Sequence, residues 1–233
     1  MRNTRRKLVR SVKQQVDSLR GFGVTAIPRA TPRQLPMPVS VKVPLASKLE
    51  QLKQLRAAAL ACTRCPLHKT RTNIVISDGS PDAKLVFVGE APGRDEDLQG
   101  VPFVGRAGQL LTKMIEAMGL KREQVYICNV LKDRPPENRT PLPEEMEACL
   151  PFLEEQLRII QPKVICVLGS VAAKALIGPH VSIMRIRGQL HEYQGIPLIP
   201  TFHPAYLLRN PPAKKEAWED LKQVMKLLKE DAQ

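Results

Sequence analysis

Four short apolar runs, separated by stretches of helical periodicity, constrain this chain more than any other feature of its sequence. KLVFVGE (84–90), QVYICNV (124–130), KVICVLG (163–169) and HEYQGIPLIPTFHP (191–204) each read as a strand. The first three are apolar almost throughout, the pattern of strands covered on both faces. AGQLLTKMIEAMGL (107–120), PLPEEMEACLPFLEEQLRII (141–160) and KKEAWEDLKQVMKLLKE (214–230) place apolar residues at helical spacing. Strands joined by helices of this length form βαβ units. The pattern predicts an α/β fold: a three-layer α/β/α sandwich with a central, mostly parallel four-stranded sheet.

The net charge of +13 is unevenly placed: residues 1–49 carry +10, with Asp17 as their only acid, and the remainder carries +3. Pro28, Pro32, Pro36, Pro38 and Pro44 break any periodicity before Ser47. Residues 1–46 therefore read as a basic, proline-rich arm and linker, and residues 47–233 as the folded domain. Such an arm suits a polyanion, most simply nucleic acid; a solubilising tail is the plainer alternative. No run approaches the roughly 18 apolar residues that would span a bilayer. The charged N-terminus is not followed by the apolar segment of a secretory signal. Five cysteines at uneven spacing do not form a disulfide framework. The expectation is a cytoplasmic monomer with reduced thiols and no membrane partner.

In a parallel sheet, ligands bind beyond the carboxyl ends of the strands. Three of those ends carry chemistry here. The first strand ends in Gly89-Glu90, followed by Gly93 and, in a polar loop, Phe103. The glycines let backbone approach a ligand closely, but their spacing fits neither G-x-G-x-x-G nor a Walker A loop. The second strand ends at Asn129 and the fourth at His203. Singly, Asn129 reads as a turn residue and His203 as a structural histidine. Together with Glu90 and Phe103 they supply an amide, an imidazole, a carboxylate and an aromatic plate, which suits a flat polar heterocycle.

In order and spacing, GEAPGRDED, GVPFVGRAG, NVLKDRPPENRTPLPEE and HPAYLLR, with C-x-x-C upstream, resemble the family 4 uracil-DNA glycosylases over about Cys62–Arg209. The resemblance implies a uracil-DNA glycosylase-like fold and hydrolysis of the N-glycosidic bond of deoxyuridine in single- or double-stranded DNA, in base excision repair at the nucleoid. It makes Glu90 the residue that positions or polarises water and His203 the donor that stabilises the uracil anion. Gly89, Ala91, Gly93, Phe103 and Asn129 would form the uracil pocket with His203. Phe103 would stack on the flipped base and Asn129 would read its edge. Tyr206, Leu207, Arg209 and Arg139 would contact DNA, with Tyr206 and Leu207 as the apolar wedge. Gly93 stands where some relatives carry a ring that excludes thymine.

The family also holds a [4Fe–4S] cluster on four cysteines. Cys62, Cys65 and Cys149 match three of them, while Asp133 stands where the fourth would be. A cluster with an oxygen ligand, a three-iron form, zinc and an empty site are all compatible with that set. The implied role is structural, tying the helix at 49–61 to that at 141–160. Lys69, Arg71, Lys132 and Arg134 beside it are candidates for DNA phosphate. Cys128 and Cys166 lie within strands and read as core thiols. A catalytically weak uracil- or DNA-binding protein of the same fold is the alternative from another class. A covalent DNA-trapping relative would need an inserted loop that GRDEDLQGVPF lacks, and a nucleotide-processing enzyme would need a phosphate loop.

Overall fold

The computed structural model describes residues 47–230; the arm of residues 1–46 lies outside the described residues. The chain runs α1 (Lys48–Leu60), β1 (Ser77–Gly79), β2 (Leu85–Gly89), α2 (Arg94–Gln99), α3 (Arg106–Ala117), β3 (Tyr126–Asn129), α4 (Pro143–Ile160), β4 (Val164–Leu168), α5 (Ser170–Leu176), α6 (Ile183–Ile186), β5 (His191–Tyr193), β6 (Ile196–Thr201), α7 (Pro204–Arg209) and α8 (Lys214–Lys229).

The strands form one sheet in the order β1-β3-β2-β4-β6-β5. The four central strands are mutually parallel, as the sequence predicts. Two antiparallel edge strands extend them, making six strands among the described residues. HEYQGIPLIPT is not one strand but a hairpin. Gln194 and Gly195 both take positive φ, 50° and 84°, the geometry of a tight hairpin turn. β1 is three residues, Ser-Asp-Gly, too short and polar to register as a strand by periodicity.

Alternation along the strands divides the core into two layers. Val86 and Val88 of β2 face a cluster with Leu153, Leu157 and Ile160 of α4. Leu85 and Phe87 face Leu111 and Ile115 of α3, with Leu221 and Val224 of α8. Both faces of the sheet are thus covered, which accounts for the continuous apolar runs. Cys128 and Cys166 are fully buried in these layers. α1 is fastened to α4 directly: Lys48 Nζ donates to the Ile160 carbonyl at 2.8 Å and Arg158 Nη2 to Gln51 Oε1 at 3.2 Å.

A polar network crosses the first layer beneath the carboxyl end of β3. The ammonium of Lys132 is buried and donates to the Asn129 carbonyl and to Gln156 Oε1, both at 2.5 Å. Gln156 Nε2 in turn donates to the Ile76 carbonyl at 3.0 Å and the Tyr126 hydroxyl at 2.9 Å. Lys132 is only 1% exposed, so it cannot face DNA phosphate as the sequence suggested. Its role is to satisfy the backbone that carries Asn129.

Candidate active site

The parallel register sets Gly89 of β2 beside Asn129 of β3. The carboxyl ends of β2, β3 and β6 open into a cleft of about 520 Å³ lined by Glu90, Ala91, Gly93, Phe103, Asn129, Arg139, His203, Tyr206 and Arg209, among others. Nine residues predicted from sequence therefore meet in one place. Gly89 and Leu207 do not reach it.

Gly89 is buried beneath the floor rather than lining it. A β-carbon there would fall 2.4 Å from the Phe103 ring and 2.4 Å from Asn129 Oδ1. Glycine is what allows ring and amide to sit side by side. The amide of Asn129 is itself unusual. Its residue is 1% exposed, yet among the described residues Oδ1 has no hydrogen-bond partner. A buried acceptor without a donor is unfavourable by about 1–3 kcal/mol, and here it belongs to a residue that lines the cleft. It is an acceptor available to an N–H donor.

Phe103 adopts φ 54°, a left-handed conformation disfavoured by roughly 1–3 kcal/mol for a residue with a bulky side chain. Surrounding contacts impose it. A β-carbon on Gly108 would lie 1.8 Å from the Phe103 carbonyl oxygen, so the α3 backbone packs directly on this turn. Arg122 grips the Pro102 and Phe103 carbonyls from the other side, at 2.6 and 3.1 Å. Glu96 holds the flanking loop, accepting from the Val104 and Gly105 amides at 2.9 Å and from Gly93 at 3.1 Å. The Gly93 N–H is thereby committed to Glu96, so Gly93 lines the cleft through its backbone rather than through a free amide. Neither Glu96 nor Arg122 stood out in the sequence, where each is one charge in a polar loop.

The Phe103 and His203 rings stand 5.6 Å apart, tilted by 32°. His203 caps α7, its Nδ1 accepting from the Ala205 amide at 3.1 Å. That bond fixes the neutral tautomer and leaves Nε2–H as the donor. Burial, and secondarily the charge of Arg209, push the imidazole down to about 4, so it is uncharged at neutral pH. Glu90 shifts the other way: burial raises its carboxyl above the ordinary 4.5.

Around the rim, Arg139 forms a bidentate pair with the buried carboxylate of Glu145, at 2.6 and 2.8 Å. Tyr206 packs on Phe202 with ring centroids 4.9 Å apart and accepts from Asn210 at 2.8 Å. Leu207 is 1% exposed and packs in the second core layer. It cannot serve as a wedge in this conformation: one short helix cannot present residues 206, 207 and 209 on the same face, and Leu207 is the one turned inward.

Cys62, Cys65, Asp133 and Cys149 gather at the end of α1. Burial pushes Cys65 up, with added repulsion from Asp133 and Cys62. Burial also pushes Cys149 up to about 11, and it feels Asp133 and Cys65. The Asp133 carboxylate is already held by Arg71 Nη1, at 3.1 and 3.2 Å, and Arg71 Nη2 donates to the Leu60 carbonyl at 2.7 Å. Among the described residues, no three such side chains close around a single metal ion, so a zinc cage is not preformed. A multi-iron cluster is held at its corners and spaces its ligands more widely. The three thiols are the donors a cluster would use, and Asp133 could join them only by giving up Arg71.

The chain matches the family model for the Uracil DNA glycosylase superfamily over residues 76–222. It is 55% identical over 151 residues to the type-4 uracil-DNA glycosylase of Thermotoga maritima, covering 64% of this chain and 79% of that protein. To the type-4 uracil-DNA glycosylase of Archaeoglobus fulgidus it is 45% identical over 187 residues, covering 77% and 94%. A type-5 uracil-DNA glycosylase of Thermus thermophilus is more distant, 31% identical over 114 residues that cover 42% and 52%.

Because His203 is held neutral by its surroundings, its ring proton resonances are expected to titrate near pH 4, as read by NMR. A midpoint near the ordinary 6.5 would contradict the burial and capping described here.

Proposed function

Because the chain belongs to the uracil DNA glycosylase superfamily, we propose that it excises uracil from DNA as a monofunctional glycosylase of the type-4 group, acting as a monomer through its domain of residues 47–233. The unpartnered Oδ1 of Asn129 is the observation that carries the reading to this cleft. Uracil presents N3–H as a donor between two carbonyl acceptors. Its N3–H would donate to Asn129 Oδ1, and the Asn129 amide N–H to uracil O4. Cytosine has a bare acceptor at N3 and a donor at C4, so both contacts turn unfavourable.

A uracil rotated out of the helix would stack on Phe103 with O2 toward His203 Nε2. As the bond between C1′ and N1 breaks, the electron pair stays on the base and positive charge grows on the sugar. The His203 N–H stabilises the developing anion, a contribution of the kind worth roughly 3–4 kcal/mol. Because Nδ1 accepts from the Ala205 amide, the neutral ring keeps its proton on Nε2, where it can donate to the developing anion. The Glu90 carboxylate faces the sugar side, where it stabilises the cation and orients water. The water oxygen bonds to C1′, its proton passes to Glu90 or solvent, and the uracil anion is protonated on release. No lysine is found among the residues lining the cleft, and Lys132 holds the Asn129 carbonyl. Neither supplies an amine for strand cleavage.

Arg209 and Tyr206 lie on the cleft wall, where the phosphates and gap of a DNA strand would pass; Arg139 supports the same rim through Glu145. The basic arm of residues 1–46 would add sequence-independent phosphate contacts, placing the protein with chromosomal DNA. No described helix is long and apolar enough to cross a membrane. Cys62, Cys65 and Cys149 would hold an iron–sulfur cluster, with Asp133 at its fourth corner. When bound, that group supplies a cross-link between α1 and α4 rather than chemistry on the base.

Incubation with a deoxyuridine oligonucleotide followed by alkali is expected to cleave the strand at uracil and leave a deoxycytidine control intact. Folded protein that leaves both intact contradicts the proposal. The rate should rise with pH through the raised Glu90 value, since the ionised form acts. Glu90→Gln should lower kcat by about 10²-fold or more and flatten that limb, given the usual 10²–10⁴-fold range for a positioned acid–base group. Anaerobically purified protein is expected to be brown and to contain iron, and Asp133→Cys should increase the iron retained after exposure to air. Colourless wild-type protein beside a brown variant would show that this chain carries no cluster.

A further inference from the structure

Phe103 owes its place to contacts behind it, away from the cleft. Consecutive carbonyls of an extended chain point to opposite sides. Those of Pro102 and Phe103 instead converge on one guanidinium, through Arg122 Nη2 at 2.6 Å and Nη1 at 3.1 Å. The left-handed φ of 54° at Phe103 accompanies this arrangement. Arg122 is itself fixed from two further directions: Nη1 donates to Thr112 Oγ1 of α3 at 3.2 Å, and Nε to Asp78 Oδ2 of β1 at 2.7 Å. Gly108 closes the other side of the turn. Arg122 does not line the cleft, so it can affect a bound base only through another residue.

We infer that Arg122, oriented by Asp78, is a positioning residue for base recognition, holding the Phe103 ring where a flipped base stacks. The inference rests on the function proposed above. It gives the edge strand β1 a part in the site: its single acid aligns the guanidinium that shapes the loop. A misplacement of the ring by about 1 Å is the kind of change that lowers turnover roughly 10²-fold without contact with the substrate. Were Arg122 only a fastening between β1, α3 and the loop, its loss would lower stability and leave base recognition unchanged.

The test is a double-mutant cycle on kcat/KM for a deoxyuridine oligonucleotide, with melting curves and circular dichroism to establish folding. Arg122→Ala is expected to lower kcat/KM by about 10- to 100-fold, and Asp78→Asn to act in the same direction less strongly. In a Phe103→Ala background, Arg122→Ala should change kcat/KM by less than about twofold, because the ring through which it acts is gone. Equal losses in both backgrounds, or unchanged kcat/KM in folded Arg122→Ala, overturn the inference while leaving the function intact. If Arg122→Ala fails to fold, Arg122→Lys and Asp78→Asn complete the same cycle. Wild-type protein without turnover overturns both.

Discussion

Position 89 has no room for a β-carbon, and the cleft is organised around that constraint. Gly89 ends β2 in register with Asn129 at the end of β3, and the Phe103 ring lies against it. With a side chain there, the ring and the amide could not both approach the strand end. The sheet supplies the alignment, since parallel strands deliver their carboxyl ends to the same edge. The loop between α2 and α3 then brings the ring back over that edge, under restraint from Glu96, Gly108 and Arg122. A flat slot results, with a plate on one side and a hydrogen-bonding edge at its end.

The same crowding sets the electrostatics. His203 and Glu90 are both driven toward their neutral forms by burial, the common response of groups removed from water. For His203 this suits a reaction whose leaving group becomes an anion, because an aligned neutral donor is effective where water is excluded. For Glu90 it yields a carboxylate that is weakly solvated and so interacts strongly with a developing cation. The unsatisfied oxygen of Asn129 is the counterpart in hydrogen bonding: on the proposed reading, a correct ligand would relieve it and an incorrect one would deepen it.

The parallel centre of the sheet was legible because strands buried on both faces must be apolar throughout; three such runs are present, and the apolar core of the fourth, PLIP, lies within β6. Glu90, Asn129 and His203 were legible because each directly follows or ends one of these runs. The edge strands were not. β1 is Ser-Asp-Gly, and β5 is separated from β6 only by the Gln194–Gly195 turn inside a run that reads as continuous. Leu207 was misassigned because neighbouring residues of a short helix look equivalent in sequence but point to different sides. Arg122, Glu96 and Lys132 act through backbone groups brought close by the fold, and no spacing rule connects Arg122 with Pro102 or Glu96 with Val104. Asp133 was visible as a departure, whereas its pairing with Arg71, distant in sequence, was not.

The central claim is that a uracil ring fills the slot between Phe103 and the Asn129 amide. A crystal structure of the protein with free uracil tests it most directly. The account predicts the ring stacked on Phe103, with N3 and O4 within about 2.7–3.2 Å of the Asn129 amide and O2 at a similar distance from His203 Nε2. Uracil bound elsewhere, or in this cleft with Asn129 Oδ1 still lacking a donor, would contradict it.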